Sequence, residues 1–219
     1  MKSFLTALCS LMLLTATVLA DGMSERLDTA ISMLEAKQGS SRPIPQKILD
    51  RAKGIALIEI SRGGIVFGGS HGEGIVLART KTLFGHDWSA PSAFNMSGGS
   101  FGAQIGFETK RFIFVLNNDE ALALFSSDSA VNWEAAAAAT AGPDHVSEES
   151  SKITDAPIYV YSRSDGAFAG ATVGGTNIST AVDVNHGSYG YKTLTKDILG
   201  GKVKPPKGSQ QLYQLLKGR

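Results

Sequence analysis

The spacing of hydrophobic residues along this chain changes from a helical period to a strand-like one. Near the N-terminus, Leu27, Ile31 and Leu34 recur one helical turn apart, which predicts an amphipathic helix over residues 24–37 with Ser24 as its N-cap. Its polar positions carry both acidic and basic side chains, unlike those of a membrane-surface helix. We therefore expect this helix to dock on the rest of the domain.

Beyond residue 54 the hydrophobic pattern predicts strands and short helices. Strands are predicted at residues 55–60, 65–69, 74–80, 100–108, 112–116, 158–162 and 167–173. Helices are predicted at residues 45–53, 119–125, 195–199 and 210–217. Tight turns are predicted at residues 62–64, 109–111 and 165–166. Neighbouring strands joined by tight turns indicate an α+β fold: a mostly antiparallel β-sheet flanked by N- and C-terminal helices.

Three of the strand-like stretches carry glycine at every fourth position. The sets are Gly64, Gly68 and Gly72; Gly98, Gly102 and Gly106; and Gly166, Gly170 and Gly174. Residues four apart share one face of a strand, so each stretch has a nearly bare strip on one side. Glycine permits sharp bends and the close approach of another backbone. The pattern predicts a strongly curved, glycine-rich sheet, and a surface shaped around a ligand is the alternative.

Residues 1–20 have the pattern of a secretory signal peptide. Lys2 precedes an apolar segment, and the small residues Val18 and Ala20 stand before a cleavage point at Asp21. A retained membrane anchor is the alternative, although the apolar segment is short for a span. Cleavage would also remove Cys9, the only cysteine, and with it disulfides and thiol chemistry. We therefore expect a secreted or periplasmic protein, with association to a membrane as a further possibility.

Charge is balanced in total but unevenly distributed, with 21 basic and 20 acidic side chains. Residues 37–62 carry a net charge of +4 and residues 192–219 of +6, whereas residues 119–165 carry −7. Such polarity predicts that one face meets an anionic surface, and ordinary surface charge is the alternative. The C-terminal lysines lack the interleaved aromatic residues of a nucleic-acid-binding stripe, so no nucleic-acid partner is expected.

The sequence offers weak candidates for catalysis and metal binding. Ser70 and Ser100 each stand in a Gly-x-Ser-x-Gly pattern, but strand-like sequence follows both, where a hydrolase elbow leads into a helix. His71 and Glu73 could supply two metal ligands, with no third at a recognisable spacing. We therefore predict a non-enzyme without catalytic residues, cofactor or metal. The alternatives are a serine hydrolase using Ser70 or Ser100 and a structural envelope protein assembling through its glycine-rich strands.

Several motifs together resemble the SYLF domain. They are Trp88-Ser89-Ala90-Pro91, the glycine-rich run at residues 98–106, Gly142-Pro143, the run at residues 161–170, Tyr189-Gly190 and the segment at residues 197–200. Their order and spacing match over residues 44–216. With the predicted signal peptide at 1–20 and the predicted N-terminal helix and linker at 21–43, the resemblance implies a SYLF-like lipid-binding domain at 44–219. Bacterial members of the family often carry such leaders, and no catalytic chemistry is attached to the family.

The resemblance also implies a function, since the family is associated with phosphoinositides and other anionic lipids. Its lipid contacts are usually placed on a basic and apolar N-terminal segment, to which residues 42–62 correspond here. The candidate lipid-binding residues are Lys47, Ile48, Arg51, Lys53, Arg62 and Trp88. Leu49 is an alternative apolar contact to Ile48, and Trp88 is interpreted either as a ligand contact or as a plug at one end of the core. The expected partner is an anionic phospholipid or membrane surface, with the oligomeric state open.

Eukaryotic members of the family also bind actin filaments. A secreted or periplasmic chain would not meet actin, so the predicted leader makes actin an unexpected partner for this protein.

Overall fold

The computed structural model describes residues 22–85, 87–127, 131–132, 157–162 and 176–217, with the backbone alone for residues 62–69, 99–108, 132 and 176. The helices are α1 (22–38), α2 (Gln46–Arg51), α3 (Asp119–Ser126), α4 (Val182–Tyr189), α5 (Thr195–Leu199) and α6 (Ser209–Lys217). The strands are β1 (Gly54–Ala78), β2 (Ser92–Leu116), β3 (Val131–Asn132), β4 (Ile158–Ser162) and β5 (Thr176–Thr180).

The described strands form one antiparallel sheet with β2 at its centre. The order is β1-β2-β5-β3, and β4 also pairs with β2. The strand β4 pairs with residues 112–116 of β2, whereas β5 pairs with residues 94–98. The predicted fold class, an antiparallel sheet flanked by helices, is confirmed.

The strands β1 and β2 are much longer than predicted, at 25 residues each. The predicted turns at residues 62–64 and 109–111 are wrong, because both stretches are strand: residues 62–64 pair with residues 106–108, and residues 109–111 pair with residues 59–61. Arg62 lies opposite Glu108, and Glu59 lies opposite Arg111. Pairing with a neighbouring strand satisfies the backbone hydrogen bonds that a turn would have satisfied locally.

The strand β1 bends back on itself at its glycines. A Cβ atom on Gly74 would lie 2.5 Å from the carbonyl oxygen of Leu57, and one on Gly54 would lie 3.0 Å from that of Leu77. In a straight strand, residues 57 and 74 would be about 55 Å apart. The two halves of β1 therefore approach at backbone contact distance, which only a residue without a side chain allows. The strong curvature predicted from the glycine pattern is confirmed for this strand.

The sheet is buried on both faces, and its side chains alternate between two hydrophobic clusters. The first cluster includes Ile55, Leu57, Ile75 and Leu77 and is covered by α1, α2 and α6. The second includes Ala56, Ile58, Val76 and Ala78 and is covered by α3. Burial on both faces explains why the sequence from residue 55 onward is a nearly continuous apolar run instead of an alternating one.

The predicted helices agree with the structure apart from their ends. The α1 residues Leu27, Ile31 and Leu34 are buried, as the helical spacing predicted, but α1 already includes residues 22 and 23, so Ser24 is not its N-cap. The sequence did not reveal α4, whose residues lack a hydrophobic stripe. Its position depends on Asn185, which accepts a hydrogen bond from the Ala93 amide at 2.8 Å. The predicted signal peptide, the strand at 167–173 and the turn at 165–166 lie outside the described residues.

Candidate functional site

The apolar residues of helix α2 are buried, whereas its basic residues are exposed. Ile48 and Leu49 are 2% and 0% exposed, so both pack in the core. Lys47, Arg51 and Lys53 are exposed, and no described residue forms an ion pair with them. Like charges one turn apart, as at Lys47 and Arg51, are mildly unfavourable unless an anionic partner is near.

The other predicted lipid contacts have different surroundings. Trp88 is 1% exposed and belongs to the first hydrophobic cluster. This position agrees with its interpretation as a plug at one end of the core. Ile48 is equally withdrawn from the surface, so neither side chain can reach a membrane in this arrangement. Arg62 lies within β1 opposite Glu108, and its side chain is outside the description. The structure thus brings together three of the six predicted residues on one exposed surface.

Arg79 connects α2 to the loop that follows β1. Its Nη2 atom donates a hydrogen bond to the Leu49 carbonyl at 2.7 Å, and its Nε atom donates to the Ala52 carbonyl at 3.3 Å. Its guanidinium carbon lies 4.4 Å from the centroid of the Trp88 ring, in cation–π contact. A cation at a helix C-terminus stabilises carbonyls that lack helical partners. Arg79 therefore places the end of α2, with Arg51, beside the base of the loop.

The loop at residues 80–87 exposes two large apolar side chains. Leu83 is 80% exposed and Phe84 is 43% exposed. The loop is closed at its base by the hydrogen bond from the Thr80 amide to the Asp87 carbonyl, at 2.9 Å. Lys81, which precedes the apolar pair, is exposed and has no ion-pair partner among the described residues. The loop therefore presents apolar surface and unpaired positive charge together.

Contacts from the C-terminal part of the chain hold this loop. The Leu83 amide donates to the Gly201 carbonyl at 3.2 Å. Gly201 has a φ of +73°, and a Cβ atom there would lie 2.8 Å from the Thr82 side chain, so glycine is required for the approach. Lys217 of α6 lies 3.7 Å from Asp87. We name six exposed residues of this region, which also exposes Asp50 and Asp87, the basic end: Lys47, Arg51, Lys53, Lys81, Leu83 and Phe84.

Sequence reasoning missed half of the basic end. Lys81, Leu83 and Phe84 lie in a segment without helical or strand periodicity. The sequence pattern therefore does not predict whether these residues are buried or exposed. The available signal was two adjacent large apolar residues in a short segment between a lysine and a glycine. Such residues in a loop have no regular element to bury them, and exposed apolar patches mark interaction sites.

Arg26 of α1 provides the contrasting case of a cation whose hydrogen bonds are satisfied inside the protein. It is 8% exposed. Its four acceptors are the Phe94 carbonyl at 2.7 Å, Asn95 Oδ1 at 2.8 Å, Glu73 Oε1 at 3.0 Å and the Gly74 carbonyl at 3.3 Å. Burial lowers the pKa of Arg26, and the Glu73 carboxylate opposes that shift. This arginine fixes α1 to the sheet.

The candidate catalytic and metal-binding residues do not form a recognisable site. Ser70 lies within β1 and donates to the Gly98 carbonyl at 3.2 Å, and Ser100 lies within β2, so neither stands on a strand-to-helix elbow. His71 lies 3.5 Å from Glu73, whose carboxylate also accepts from Arg26. Within the described ranges, no group of three or more His, Cys, Asp or Glu residues could hold a metal.

In the part of the chain that the structure describes, no helix combines the length and apolar composition needed to cross a membrane.

Comparisons with known proteins place the chain among proteins named for binding partners. Residues 97–219 match the family model described as "Ysc84: Las17-binding protein actin regulator". LAS seventeen-binding protein 3 of Saccharomyces cerevisiae is 35% identical over 83% of this chain and 40% of its own length. Protein YSC84 of the same yeast is 35% identical over 83% of this chain and 39% of its own length. SH3 domain-containing YSC84-like protein 1 of Mus musculus is 29% identical over 84% of this chain and 54% of its own length. No solved structure matches.

These matches correct one prediction and confirm another. The matched region spans about half the length of the relatives, or less. The expectation that actin is an unlikely partner of this protein is contradicted, because the matching family is described as a Las17-binding protein actin regulator and the yeast relative is named for Las17 binding. The SYLF resemblance is confirmed, since the matching model covers more than half of the sequence. The chain belongs to the Ysc84 family, that of the SYLF domain.

Proposed function

We propose that this protein binds anionic membrane surfaces through its basic end and catalyses no reaction. The observation that carries the proposal is the 80% exposure of Leu83 on a loop bordered by Arg51, Lys53 and Lys81. A soluble partner of ordinary polarity would not require an exposed leucine and phenylalanine beside unpaired cations. An anionic bilayer accepts both, because its headgroups attract the cations and its acyl boundary takes up the apolar side chains.

The expected strength of binding follows from these residues. Each lysine or arginine near an anionic membrane contributes about 1 kcal/mol. Transfer of a fully exposed leucine or phenylalanine into an apolar environment contributes about 1.5–3 kcal/mol. The four cations and two apolar side chains together therefore support reversible binding, without a covalent lipid anchor.

Vesicle sedimentation tests the proposal. We expect the chain to sediment with phosphatidylcholine vesicles that contain phosphatidylserine and to remain in solution with phosphatidylcholine alone. Salt should weaken the binding, because it screens exposed charges. Replacing Lys47, Arg51 and Lys53 with glutamine should weaken binding about 100-fold, from the loss of about 3 kcal/mol.

A matched control separates the basic end from total charge. Lys192, Lys196 and Lys207 are exposed on other elements, and replacing them with glutamine removes the same charge. This control should bind vesicles within a few-fold of the unaltered chain. Equal losses in the two triple variants would contradict a localised surface, and absence of binding to any anionic vesicle would remove the proposed function.

The apolar pair has its own test. The double variant Leu83→Ser with Phe84→Ser should lose vesicle binding while keeping a salt-sensitive encounter at low ionic strength. Trp placed at position 84 should show a blue-shifted emission on binding and quenching by brominated lipids. Unchanged emission with intact binding would show that the loop does not insert.

A second candidate function rests on the family match. We propose that the chain can bind a protein of the actin-regulating machinery, as the relatives' names describe for them. Co-sedimentation with actin filaments, and pull-down with a Las17-type protein, test this proposal. Binding of filaments that survives loss of the basic end would establish a separate protein-binding surface.

The N-terminal segment decides where either function operates. We propose that residues 1–20 are a cleaved signal peptide and that the mature protein is secreted or periplasmic. Intact-mass measurement of the protein from its own cells should show a chain that starts at Asp21. A chain that retains residues 1–20 would favour the actin-related candidate over a function outside the cytoplasm.

The absence of catalysis is likewise a proposal. It is supported by the position of Ser70 inside a paired strand, where its hydroxyl donates to the Gly98 carbonyl. A fluorophosphonate probe should label neither Ser70 nor Ser100. Labelling of either serine, abolished by its replacement with alanine, would establish a hydrolase.

A further inference from the structure

The basic end is built from two segments that are separate in the sequence. Residues 47–53 form its helix part, at α2 and the end of α2, and residues 80–87 form its loop part. Two linked contacts strengthen each other only when their geometry lets both engage at once. The strength of membrane binding therefore depends on what holds the helix part and the loop part in a fixed relation.

Arg79 binds the helix part through both its main chain and its side chain. Its amide donates a hydrogen bond to the Lys53 carbonyl at 2.7 Å. Its side chain donates to the carbonyls of Leu49 and Ala52, as described above. These three hydrogen bonds hold the main chain from residue 49 to residue 53 beside the residue that follows β1.

The same arginine forms one side of the base of the loop. Arg79 pairs with Trp88 in an isolated antiparallel bridge, and next to this bridge the Ser89 amide donates to the Ala78 carbonyl at 2.8 Å. Trp88, whose ring contacts the Arg79 guanidinium, is buried in the first cluster. The neighbouring Ser89 carbonyl accepts from the Tyr213 hydroxyl at 2.9 Å. Arg79 therefore connects the helix part to a point of the loop that is fixed in the core.

The contacts of Arg79 require the shape of a guanidinium group and not its charge alone. A guanidinium is planar, donates from several nitrogens in different directions, and can present its face to an aromatic ring at the same time. A lysine ammonium carries the same charge on a single nitrogen at the end of a flexible chain. Lysine at position 79 would keep the net charge and lose the combination of contacts.

We propose that Arg79 is a positioning residue that joins the helix part and the loop part of the basic end into one binding surface. The inference rests on the proposed function, because this positioning affects binding only if both parts contact the same membrane. Arg79 is partly buried and its side-chain donors are directed at carbonyls of the protein, so it acts through the residues that it holds.

Vesicle sedimentation of the full chain with the charge-conserving variant Arg79→Lys tests the inference. We expect this variant to bind phosphatidylserine-containing vesicles about tenfold more weakly than the unaltered chain, since the two parts no longer engage together. Arg111→Lys is the matched control, because Arg111 is also partly buried and binds Glu59 within the sheet at 2.6 Å. The control should bind within about twofold of the unaltered chain. Undiminished binding by Arg79→Lys would overturn the inference.

A double-mutant cycle separates positioning from a general loss of stability. In a chain that already carries Lys47→Gln, Arg51→Gln and Lys53→Gln, the helix part has lost its charge and has little left to position. Arg79→Lys should therefore weaken the remaining binding, measured at low ionic strength, by less than about twofold. A merely structural role predicts the same loss in both backgrounds, and that result would overturn the inference.

Hydrogen exchange of the lipid-free chain tests the positioning without a membrane. The Thr80 amide, which donates to the Asp87 carbonyl, and the Ala52 amide, which donates to the Leu49 carbonyl, should exchange faster in Arg79→Lys than in Arg111→Lys. Equal exchange rates would overturn the positioning role even where the unaltered chain binds vesicles. Absence of vesicle binding by the unaltered chain is a different result, which removes the proposed function and with it any membrane role of Arg79.

Discussion

Two regions of the molecule differ in the burial and pairing of their positively charged side chains. At the N-terminal helix, Arg26 is withdrawn from water and surrounded by four acceptors from the sheet. At the basic end, Arg51, Lys53 and Lys81 are exposed, and no described residue pairs with them. Arg26 therefore stabilises the fold, whereas the cations of the basic end are available to bind a partner.

The comparison extends to the apolar residues of the same two regions. Around Arg26 the apolar α1 side chains Met23, Leu27 and Ala30 are 1–3% exposed, whereas at the basic end Leu83 is 80% exposed. Exposed charge alone is ordinary on a protein surface. Exposed charge together with exposed large apolar side chains marks an interaction surface, which is why the loop weighs more in our proposal than the net charge.

The largest expected effect comes from removing the buried cation. Arg26→Met should lower the free energy of unfolding by about 3 kcal/mol, because the sheet carbonyls and Asn95 lose their donor. Arg51→Met is the matched control and should change it by less than about 0.5 kcal/mol. Urea unfolding of both variants measures the difference. Similar losses in the two would contradict the distinction between the regions.

Two glycine substitutions compare the packing of the sheet beside Arg26 with the packing of the loop at the basic end. Gly74→Ala places a Cβ atom 2.5 Å from the Leu57 carbonyl and 2.7 Å from the Phe94 ring, so we expect a loss of about 2 kcal/mol. Gly85 of the loop, at a φ of +76°, has nothing within 4 Å of such an atom. Gly85→Ala should therefore cost about 1 kcal/mol, from backbone strain alone. Thermal unfolding compares them, and an inverted order would contradict the tight packing of β1.

Leu83 should be dispensable for folding. Leu83→Ser should change the free energy of unfolding by less than about 0.5 kcal/mol, because the Leu83 side chain is 80% exposed, whereas Phe84 is only 43% exposed. Leu34→Ala, at a fully buried position of α1, should cost about 3 kcal/mol. Urea unfolding of both variants checks this. A large loss in the loop variant would show that the loop is structural.

The smallest expected effect concerns an exposed ion pair. The hydrogen bond from Lys202, at 2.8 Å, lowers the pKa of Asp197. Burial opposes this shift, and the positive charges of Lys202 and Lys196 add to it. A carboxyl group whose pKa is lower in the folded state than in the unfolded state stabilises the fold at pH values above its unfolded-state pKa. This stabilisation is lost as the pH falls through the folded-state pKa. Asp197→Asn should therefore be slightly less stable than the unaltered chain at neutral pH, with the difference vanishing in acid. A difference that grew in acid would contradict this sign.

Local patterns in the sequence determined a large part of this fold. The helical spacing of Leu27, Ile31 and Leu34 predicted the face that α1 buries, because periodicity is a property of neighbouring residues. The glycine strips predicted the curvature that the close approach of Gly74 to Leu57 confirms. The motifs also sufficed to recognise the family. Each of these conclusions depends on residues that are near one another along the chain.

Only the tertiary structure decided which residues form the candidate surface. Ile48 and Leu83 are both apolar residues in basic surroundings, yet one is 2% and the other 80% exposed. Local periodicity predicts a helix around Ile48 and none around Leu83, but the burial of each depends on what packs over it, and that comes from distant parts of the chain. The same holds for Arg26, whose acceptors lie 47 or more residues away. The sequence determined the elements, whereas packing between them determined which charges and apolar groups remain exposed.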